Sequence, residues 1–441
     1  MSQDHLTHDH PSHGRPAHDH LVVVGASLAG LRGAEAARKA GFTGRITVVG
    51  AEPHRPYDRP PLSKQVLTGA VAPGATTLPN LEPLDAEWRL GSAAAGLDRS
   101  GRAVILESGE RIPYDRLLIA TGARARPWPN AAEGRLGGVH TLRSRDDAES
   151  LRAALAARPD RVLVVGGGFI GCEVAAACRD LELPVTLVES GSTVLERVLG
   201  SHLGSVVAAL HAARGVDLRF GAKVEALEDD GTGHVVRARL ADGRTIATTC
   251  VVVALGAVRN TGWLHGSGLA FDDGGVECDA DGHVLDTDGR PDRTISAAGD
   301  VARFPHPLYN GRRVALEHWG HAVAQGAHAG RLLAGHSIAR AYAEVPAFWS
   351  SQGGITLKMV GLTEGADALV IAQGDPKTGR FLALYGRAGR CVAAVSFDSV
   401  RWLPAYAAMV AEGAPFPPIR GAVDQGRLTV LPPGFPKEDE R

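Results

Sequence analysis

Short apolar runs followed by glycine turns and small-residue helices recur along this chain. The first run begins at residue 21 and leads through a glycine turn and a helix to a second run over 45–49. The same order returns with apolar runs over 161–165 and 184–188, again separated by a glycine turn and a helix. Continuous apolar runs of this length predict buried parallel strands, and helices between them predict crossovers. The pattern therefore predicts two separate βαβ units.

Other segments predict sheets that are added to these two units. Short alternating segments that predict strands lie at 102–107, 117–120, 234–240 and 250–254. A different pattern begins near Val345, with predicted strands over 355–360, 368–372, 380–385 and 391–397 and a helix over 403–412. We therefore expect a third, α+β domain at the C-terminal end.

Each βαβ unit carries a glycine fingerprint at the turn that opens its helix. The two sets are Gly25, Ser27 and Gly30, then Gly166, Gly168 and Gly171. A helix N-terminus offers unpaired N–H groups and partial positive charge, which suits a pyrophosphate. Ser27 makes the first set a variant, whereas the second set matches fully. An acid, Glu52 or Glu189, follows each second strand about where a ribose-binding carboxylate is expected.

Two fingerprints in one chain predict two bound dinucleotides. A single glycine turn could be purely structural, but the repeat of strand, turn, helix and acid makes that explanation weak for both. The common physical reason for one chain to hold two dinucleotides is that a nicotinamide supplies hydride to a flavin. The spacing therefore predicts a flavoprotein reductase.

Length, charge and hydropathy set the class of protein. At about 100–200 residues per domain, 441 residues predict two to four domains. Lys plus Arg (47) nearly balances Asp plus Glu (49), which gives no general attraction to nucleic acid or to an anionic membrane. No apolar run approaches the ~18 residues of a membrane span, and the N-terminus does not resemble a secretory signal. We expect a cytoplasmic globular α/β protein, either a monomer or a homodimer.

Residues 1–20 form a His-rich segment without apolar periodicity. It contains His5, His8, His10, His13, His18 and His20. We expect a disordered tail, for which weak capture of transition metals is the alternative. No metal site is predicted elsewhere.

From Leu21 to about Pro418 the chain resembles the FAD-dependent ferredoxin reductases of oxygenase and cytochrome P450 systems, including the putidaredoxin, rhodocoxin and biphenyl dioxygenase reductases. The most specific match is the segment from Pro56 to Lys64, Pro-Tyr-Asp-Arg-Pro-Pro-Leu-Ser-Lys. The other matching segments are Ala120-Thr121-Gly122, Thr141-Leu142-Arg143, Ala298-Gly299-Asp300, Glu317-His318-Trp319 and Phe348-Trp349-Ser350.

The resemblance implies specific contacts with two cofactors, FAD and NADH. The FAD-binding positions, including those of the first turn, are Gly25, Ala26, Ser27, Ala29, Gly30, Glu52, Arg59, Lys64, Ala94, Thr121, Gly122, Arg143, Gly299, Asp300, Trp319 and Trp349. The NADH-binding candidates are Gly166, Gly168, Ile170, Gly171, Glu189, Arg197 and Gly256.

The resemblance also implies roles for some of these residues. Glu52 would accept from the adenosine ribose, Arg59 would pair with phosphate, and Asp300 would hold the ribityl chain. Lys64 would lie near flavin N5 with its charge balanced by Glu173, and these two are the predicted catalytic residues. Each has an ordinary alternative: for example, Glu173 could merely complement the dipole of its helix.

The implied fold is glutathione-reductase-like: two Rossmann-type dinucleotide-binding domains and a C-terminal α+β domain. We expect FAD in 21–125 and 255–330, NADH in 126–254, and the third domain in 331–441. The implied reaction transfers hydride from NADH to FAD and then single electrons to a [2Fe–2S] ferredoxin. The alternatives are a flavin-dependent oxidase or monooxygenase, and an NADH-sensing binding protein resembling apoptosis-inducing factor.

Cysteine positions argue against thiol chemistry at the flavin. Disulfide reductases of this architecture carry a cysteine pair after the first acid, but residues 52–67 contain none. The chain's cysteines are Cys172, Cys178, Cys250, Cys278 and Cys391. We expect Cys172 and Cys178 to be small buried residues of the second helix. Ser351, which stands where the family pattern suggests an acid, bears on the choice of electron acceptor.

Overall fold

The computed structural model of the chain describes residues 19–80, 83–336, 341–418 and 428–436. The predicted His-rich tail lies outside these ranges except for Asp19 and His20. His20 is buried and begins the first strand, one residue before the predicted start.

The secondary-structure elements alternate between strands and helices in the two βαβ units and are otherwise mostly strands. The first are β1 (His20–Val24), α1 (Leu28–Lys39), β2 (Arg45–Val49), β3 (Glu87–Arg89), β4 (Ala94–Asp98), β5 (Ala103–Leu106), β6 (Arg111–Pro113), β7 (Arg116–Ile119), β8 (Ala123–Ala125), β9 (Val139–His140) and α2 (Arg145–Ala156). The central ones are β10 (Val162–Val165), α3 (Phe169–Asp180), β11 (Val185–Val188), α4 (Glu196–Ala213), β12 (Asp217–Arg219), β13 (Val224–Asp229), β14 (Val235–Leu240), β15 (Thr245–Ala247) and β16 (Cys250–Val253). The last are β17 (Ala257–Arg259), β18 (Phe271–Asp272), β19 (Gly275–Glu277), β20 (His283–Leu285), β21 (Pro291–Ala297), β22 (Ala302–His306), β23 (Arg312–Val314), α5 (Trp319–Leu333), β24 (Ala347–Gln352), β25 (Ile355–Gly361), β26 (Ala368–Asp375), β27 (Arg380–Arg387), β28 (Arg390–Phe397) and α6 (Leu403–Glu412).

The first βαβ unit lies at the centre of a six-stranded sheet with the order β20-β21-β7-β1-β2-β3. β1 pairs in parallel with both β2 and β7, and its residues are buried on both faces, which explains its continuous apolar run. α1 packs on this sheet beside α5, with which it makes close backbone contact. A Cβ on Gly330 would lie 2.0 Å from the Gly33 carbonyl oxygen, so only glycine permits this approach.

The second βαβ unit forms an all-parallel sheet with the order β12-β11-β10-β16-β9. β10 lies between β11 and β16 and is completely apolar, Val-Leu-Val-Val. A smaller antiparallel sheet, β13-β14-β15, covers it, so that Trp128, Leu227 and Val253 share one buried cluster.

The chain passes between the sheets of the two βαβ units at a two-stranded seam. β8 pairs with β17 in antiparallel register, with Ala125 opposite Ala257 and Ala123 opposite Arg259. The Arg126 N–H also donates to the Gly256 carbonyl oxygen at 2.9 Å. Residues 123–126, where the chain leaves the first unit, are therefore hydrogen-bonded to residues 256–259, where it returns.

The C-terminal part is an antiparallel sheet, β24-β25-β28-β27-β26, packed against α6. Residues 428–436 then return to α4, where the carbonyl oxygens of Pro433 and Gly434 accept from the N–H groups of His202 and Ser201. Among the described residues, no helix is long and apolar enough to cross a membrane.

The predicted fold class is confirmed: two Rossmann-type sheets and a C-terminal α+β unit are present. β24 was not among the predicted strands, because its sequence, Ala-Phe-Trp-Ser-Ser-Gln, lacks an alternating apolar pattern.

Candidate functional site

A cleft of about 460 Å³ lies where the sheets of the two βαβ units and the C-terminal sheet meet. This volume is within the range typical of sites for organic cofactors, about 300–1,000 Å³. Its walls come from the turn before α1, the segment 57–64, the start of α3, the start of α5 and β24. Segments that are far apart in the sequence therefore build one site.

Most predicted site residues line this cleft, although they are far apart in the sequence. They are Ser27, Ala29, Arg59, Lys64, Thr121, Gly122, Arg143, Gly168, Ile170, Glu173, Gly256, Gly299, Asp300, Trp319 and Trp349.

The remaining predicted residues lie outside the cleft wall. Four are glycines of the two fingerprints, behind the cleft wall. Two lie on β4 and on the surface of α4, and the other three lie in the first turn or after the second strand of each unit. They are Gly25, Gly30, Gly166, Gly171, Ala94, Arg197, Ala26, Glu52 and Glu189. Arg197 is exposed and has no polar partner within the part of the chain that the structure describes, so nothing in these surroundings supports its predicted role.

Three helices begin at the cleft with uncapped N-termini. α1, α3 and α5 start after Ser27, Gly168 and His318, and none of these residues makes a side-chain cap. By contrast α2 has a complete capping box from Ser144 and Asp147. First-turn N–H groups without protein acceptors are donors for an anionic ligand. The cleft therefore fits the two pyrophosphates of FAD and a nicotinamide dinucleotide.

The first turn is shaped by a backbone conformation that requires glycine. Gly25 has φ of +125°, and a Cβ there would lie 2.0 Å from the Ala120 carbonyl oxygen. This packing brings the Ala120–Gly122 segment against the start of α1. Gly122 itself has φ of +61° and open space around the position of a Cβ, so the backbone there is accessible to a ligand.

The second turn holds Glu189 in a fixed position. One carboxylate oxygen accepts from the Gly167 N–H at 2.6 Å, and the other accepts from the Gly191 N–H at 2.8 Å and the Ser190 hydroxyl at 3.1 Å. The carboxylate is thus oriented beside the glycine turn that opens α3, where a ribose would meet the end of the strand.

Glu52 and Arg59, which were predicted to contact different parts of FAD, are paired with each other. A guanidinium nitrogen of Arg59 lies 2.6 Å from a Glu52 oxygen, and the Tyr57 hydroxyl donates to the other oxygen of Glu52. Arg59 also donates to the Arg143 carbonyl oxygen at 2.7 Å. This cluster fixes the Pro56–Lys64 segment against the wall of the cleft.

Asp300 and Trp319 are also held by charged partners. Asp300 forms an ion pair with Arg143, and the Trp319 indole N–H donates to Asp58 at 2.7 Å. Burial raises the pKa of Asp58, although the bond from Trp319 and the charge of Lys64 oppose this shift. Trp349 is 41% exposed and meets Trp319 edge to face, with ring centroids 5.9 Å apart.

Lys64 and Glu173 form a buried ion pair across two domains. The Lys64 ammonium lies 2.7 Å from a Glu173 oxygen and also donates to the Pro60 carbonyl oxygen at 3.1 Å. Their side chains are 15% and 5% exposed. The Glu173 carboxylate also accepts from the hydroxyls of Ser63 and Ser350. Two of the three ammonium hydrogens are used by these partners, which leaves one for a ligand in the cleft.

Some residues of the site were not predicted from the sequence. Ser63 and Ser350 hold Glu173, and His318 lines the cleft with an Nδ1 that has no partner among the described residues. Burial lowers the pKa of His318 to about 4, against an opposing effect of Asp300, so its ring is neutral near pH 7. Each of the three belongs to a segment that resembles the ferredoxin reductases, and this resemblance could have indicated a place in the site.

All five cysteines are free and buried, as expected for Cys172 and Cys178. None lines the cleft. Burial raises the pKa of the Cys178 and Cys250 thiols to about 12 and that of Cys391 to about 11. These thiols are protonated and poorly reactive near neutral pH.

Comparison with known proteins agrees with this geometry. A family described as pyridine nucleotide-disulphide oxidoreductase matches residues 19–326, and one described as reductase C-terminal matches 347–428. A probable ferredoxin reductase of Castellaniella defragrans is 36% identical over 87% of this chain and 91% of its own. The ferredoxin–NAD(+) reductase component of an anthranilate 1,2-dioxygenase system from Burkholderia cepacia is 36% identical over 90% and 95%. A solved complex of putidaredoxin reductase with putidaredoxin aligns with a TM-score of 0.83 at 32% identity, over 90% of this chain and 94% of that one.

Proposed function

Since this chain belongs to the pyridine nucleotide-disulphide oxidoreductase family and carries a reductase C-terminal domain, we propose that it passes electrons from NADH to a [2Fe–2S] ferredoxin. It is a flavoprotein oxidoreductase that uses FAD and NADH. The ferredoxin would serve an oxygenase or a cytochrome P450, as in the relatives described above. For each NADH oxidised, two ferredoxin molecules are reduced and one proton is released.

The convergence of uncapped helices on one cysteine-free cleft supports this proposal most directly. α1 and α3 each offer first-turn N–H groups to one pyrophosphate, so two dinucleotides can meet within the same space. Electrons cannot leave through a thiol, because no cysteine borders the cleft. An external acceptor that approaches the open edge at Trp349 suits this arrangement.

The protein's contribution is to bind, orient and exclude water. The chemistry that FAD would supply when bound is acceptance of hydride from NADH and release of single electrons. Lys64 offers its remaining N–H group and its positive charge to the ligand, while Glu173 keeps the ammonium in place. Asp300, held by Arg143, is available for ligand hydroxyls. No side chain needs to act as a general acid or base.

We propose the assignments of site and domain on the same basis. The residues that line the cleft hold FAD and the nicotinamide, with Lys64 and Glu173 as the catalytic pair. The FAD domain comprises 21–125 and 255–330, the NADH domain 126–254 and the third domain 331–441, which the separate sheets support. We also propose a cytoplasmic location, since free cysteines suit a reducing compartment.

Cytochrome c reduction by NADH should be slow with the protein alone and about tenfold or more faster with an added [2Fe–2S] ferredoxin. The reason is that the cleft offers no internal route for electrons to a thiol. The measurement is steady-state cytochrome c reduction with a panel of ferredoxins, with oxygen consumption recorded in parallel.

Two results would replace this proposal. Rapid oxygen consumption that yields an oxygenated product, with no response to any ferredoxin, would indicate an oxidase or monooxygenase. NADH binding that changes association with another protein, without turnover, would indicate a sensing protein.

NADH should be preferred over NADPH by about tenfold or more in kcat/KM, which corresponds to about 1.4 kcal/mol. The fixed carboxylate of Glu189 can accept from ribose hydroxyls, whereas it would repel a 2′-phosphate. Glu189→Gln should reduce the preference, chiefly by admitting NADPH. Glu196→Gln, which removes a nearby acid bonded to the Ser192 N–H, is the matched control and should leave the ratio unchanged. Equal kcat/KM for both coenzymes in the unsubstituted protein would contradict the placement of Glu189.

A further inference from the structure

A continuous chain of buried hydrogen bonds connects the Lys64–Glu173 pair to α4. The Ser350 hydroxyl lies 2.5 Å from a Glu173 oxygen, and the Gln352 side-chain nitrogen lies 3.2 Å from the Ser350 oxygen. His211 Nε2 lies 2.7 Å from the Gln352 side-chain oxygen. The chain therefore reaches from the cleft through β24 to the last turn of α4.

Every member of this chain is removed from solvent. Ser350, Gln352 and His211 are 1%, 3% and 2% exposed. Buried polar groups of this kind cost stability unless they are paired, so their arrangement is tightly determined. Because the members come from α3, β24 and α4, the chain joins the NADH-binding sheet to the C-terminal sheet.

The direction of each bond follows from the carboxylate at the end. Glu173 balances the Lys64 ammonium and can only accept, so the Ser350 hydroxyl must donate to it. Ser350 then has no hydrogen left for Gln352, so the Gln352 amide nitrogen donates to Ser350. The Gln352 oxygen must therefore accept from His211 Nε2–H.

His211 is suited to this role as a neutral donor. Burial lowers the pKa of His211, although the bond with Gln352 opposes the shift. Its Nδ1 has no partner among the described residues, which is consistent with a lone pair on that atom and hydrogen on Nε2. All bonds of the chain thus donate toward Glu173, and such aligned bonds strengthen one another.

We propose that Ser350, Gln352 and His211 are positioning residues that fix the Glu173 carboxylate and, through it, the Lys64 ammonium. The C-terminal sheet thereby controls the rate at which NADH reduces the flavin. This inference rests on the proposed function, because it assumes that Lys64 lies beside the flavin.

The test is flavin reduction by NADH in rapid mixing, with Ser350→Ala, Gln352→Met and His211→Leu. We expect reduction to slow by about tenfold in Ser350→Ala, which loses a bond to a charged group, and by less in the two more distant variants. FAD content and the KM for NADH should change by less than about twofold, because a positioning effect acts on kcat rather than on binding. Ser350→Cys keeps a similar side-chain volume but offers a weaker donor. It replaces Ser350→Ala in the test if that variant cannot be purified with bound FAD.

Two further measurements separate positioning from general destabilisation. His211→Gln restores a donor near the place of Nε2 and should recover most of the rate. His211→Leu added to Ser350→Ala should cause no additional loss, since the chain is already broken at Ser350. Gln373→Met is the matched control: Gln373 is a buried amide in the same sheet that donates to Tyr406, apart from this chain, and the variant should reduce at the normal rate.

The outcomes distinguish this inference from the proposed function. If Lys64→Ala slows reduction but the three chain variants do not, the inference is wrong and the proposed function stands. The inference is also overturned if the double variant is slower than Ser350→Ala, or if Gln373→Met slows reduction equally. If Lys64→Ala itself reduces normally, the placement of Lys64 beside the flavin fails and the inference fails with it.

Discussion

NADH should reduce the FAD of a Lys64→Ala variant about a hundredfold more slowly than that of the unsubstituted protein, while FAD stays bound. Removal of one preorganised electrostatic donor commonly costs ~10²–10³ in rate, which corresponds to about 3–4 kcal/mol. The Lys64 ammonium meets these conditions, because it is mostly buried, is held by Glu173 and Pro60 and has one N–H group left for a ligand.

Rapid-mixing absorbance of the flavin measures this effect directly. Lys64→Arg keeps the charge and should retain more of the rate than Lys64→Ala. Lys377→Ala, which removes an exposed lysine from the turn between β26 and β27, is a control that should reduce normally. Unchanged kinetics in Lys64→Ala would show that the ammonium is not beside the reacting part of the cofactor.

The free energy of unfolding should fall by about 4 kcal/mol between about pH 7.5 and 4.5 because of His318 and His321 alone. Burial lowers the pKa of His321 to about 3, with the charges of His318 and His306 acting in the same direction, and that of His318 to about 4. Above about pH 7.5 both rings are neutral in the folded and the unfolded chain. Between pH 6.5 and about 4 only the unfolded chain takes up the protons, so acid favours unfolding.

The magnitude follows from about 1.4 kcal/mol for each pH unit and group. His321 is 5% exposed, so its contribution to the free energy of unfolding is taken in full over two pH units. His318 borders the cleft, so its contribution is reduced to about half. The other buried histidines whose pKa is lowered act in the same direction and enlarge the total; they are His20, His140, His211, His283, His306 and His328.

Urea unfolding of the FAD-bound protein at several pH values tests this prediction. The double variant His318→Asn/His321→Asn should be less sensitive to acid by about 4 kcal/mol. His265→Asn replaces an exposed histidine and should leave the acid sensitivity unchanged. Identical pH curves for the double variant and the unsubstituted protein would show that these two rings are not kept neutral by the fold.

The two nucleotide-binding units could be predicted from the sequence because their requirements are local. Gly25 and Gly166 have φ of +125° and +108°, which side chains rarely tolerate, so the backbone conformation leaves a direct mark on the sequence. The buried strands beside these turns leave an equally clear mark, since both of their faces are apolar.

The support of the Lys64–Glu173 pair could not be predicted in the same way. Ser350 bonds to a residue 177 positions away, and His211 to one 141 positions away. Serine, glutamine and histidine are common on surfaces, and β24 has no periodicity that marks it as a buried strand. Only the packing of the C-terminal sheet against α3 and α4 brings these side chains together.

The seam formed by β8 and β17 has a consequence for how such proteins can be recombined. Ala125 and Ala257 face each other across two adjacent strands. The segment between these two residues therefore begins and ends at the β8–β17 seam. A coenzyme-binding domain from another protein could replace this segment at the β8–β17 seam without separating the rest of the first sheet. The graft would have to supply an acid that matches Lys64, apolar side chains that pack against Leu62 and Val66, and a surface that accepts β24. These contacts, more than the loops at the β8–β17 seam, would decide which donors are compatible.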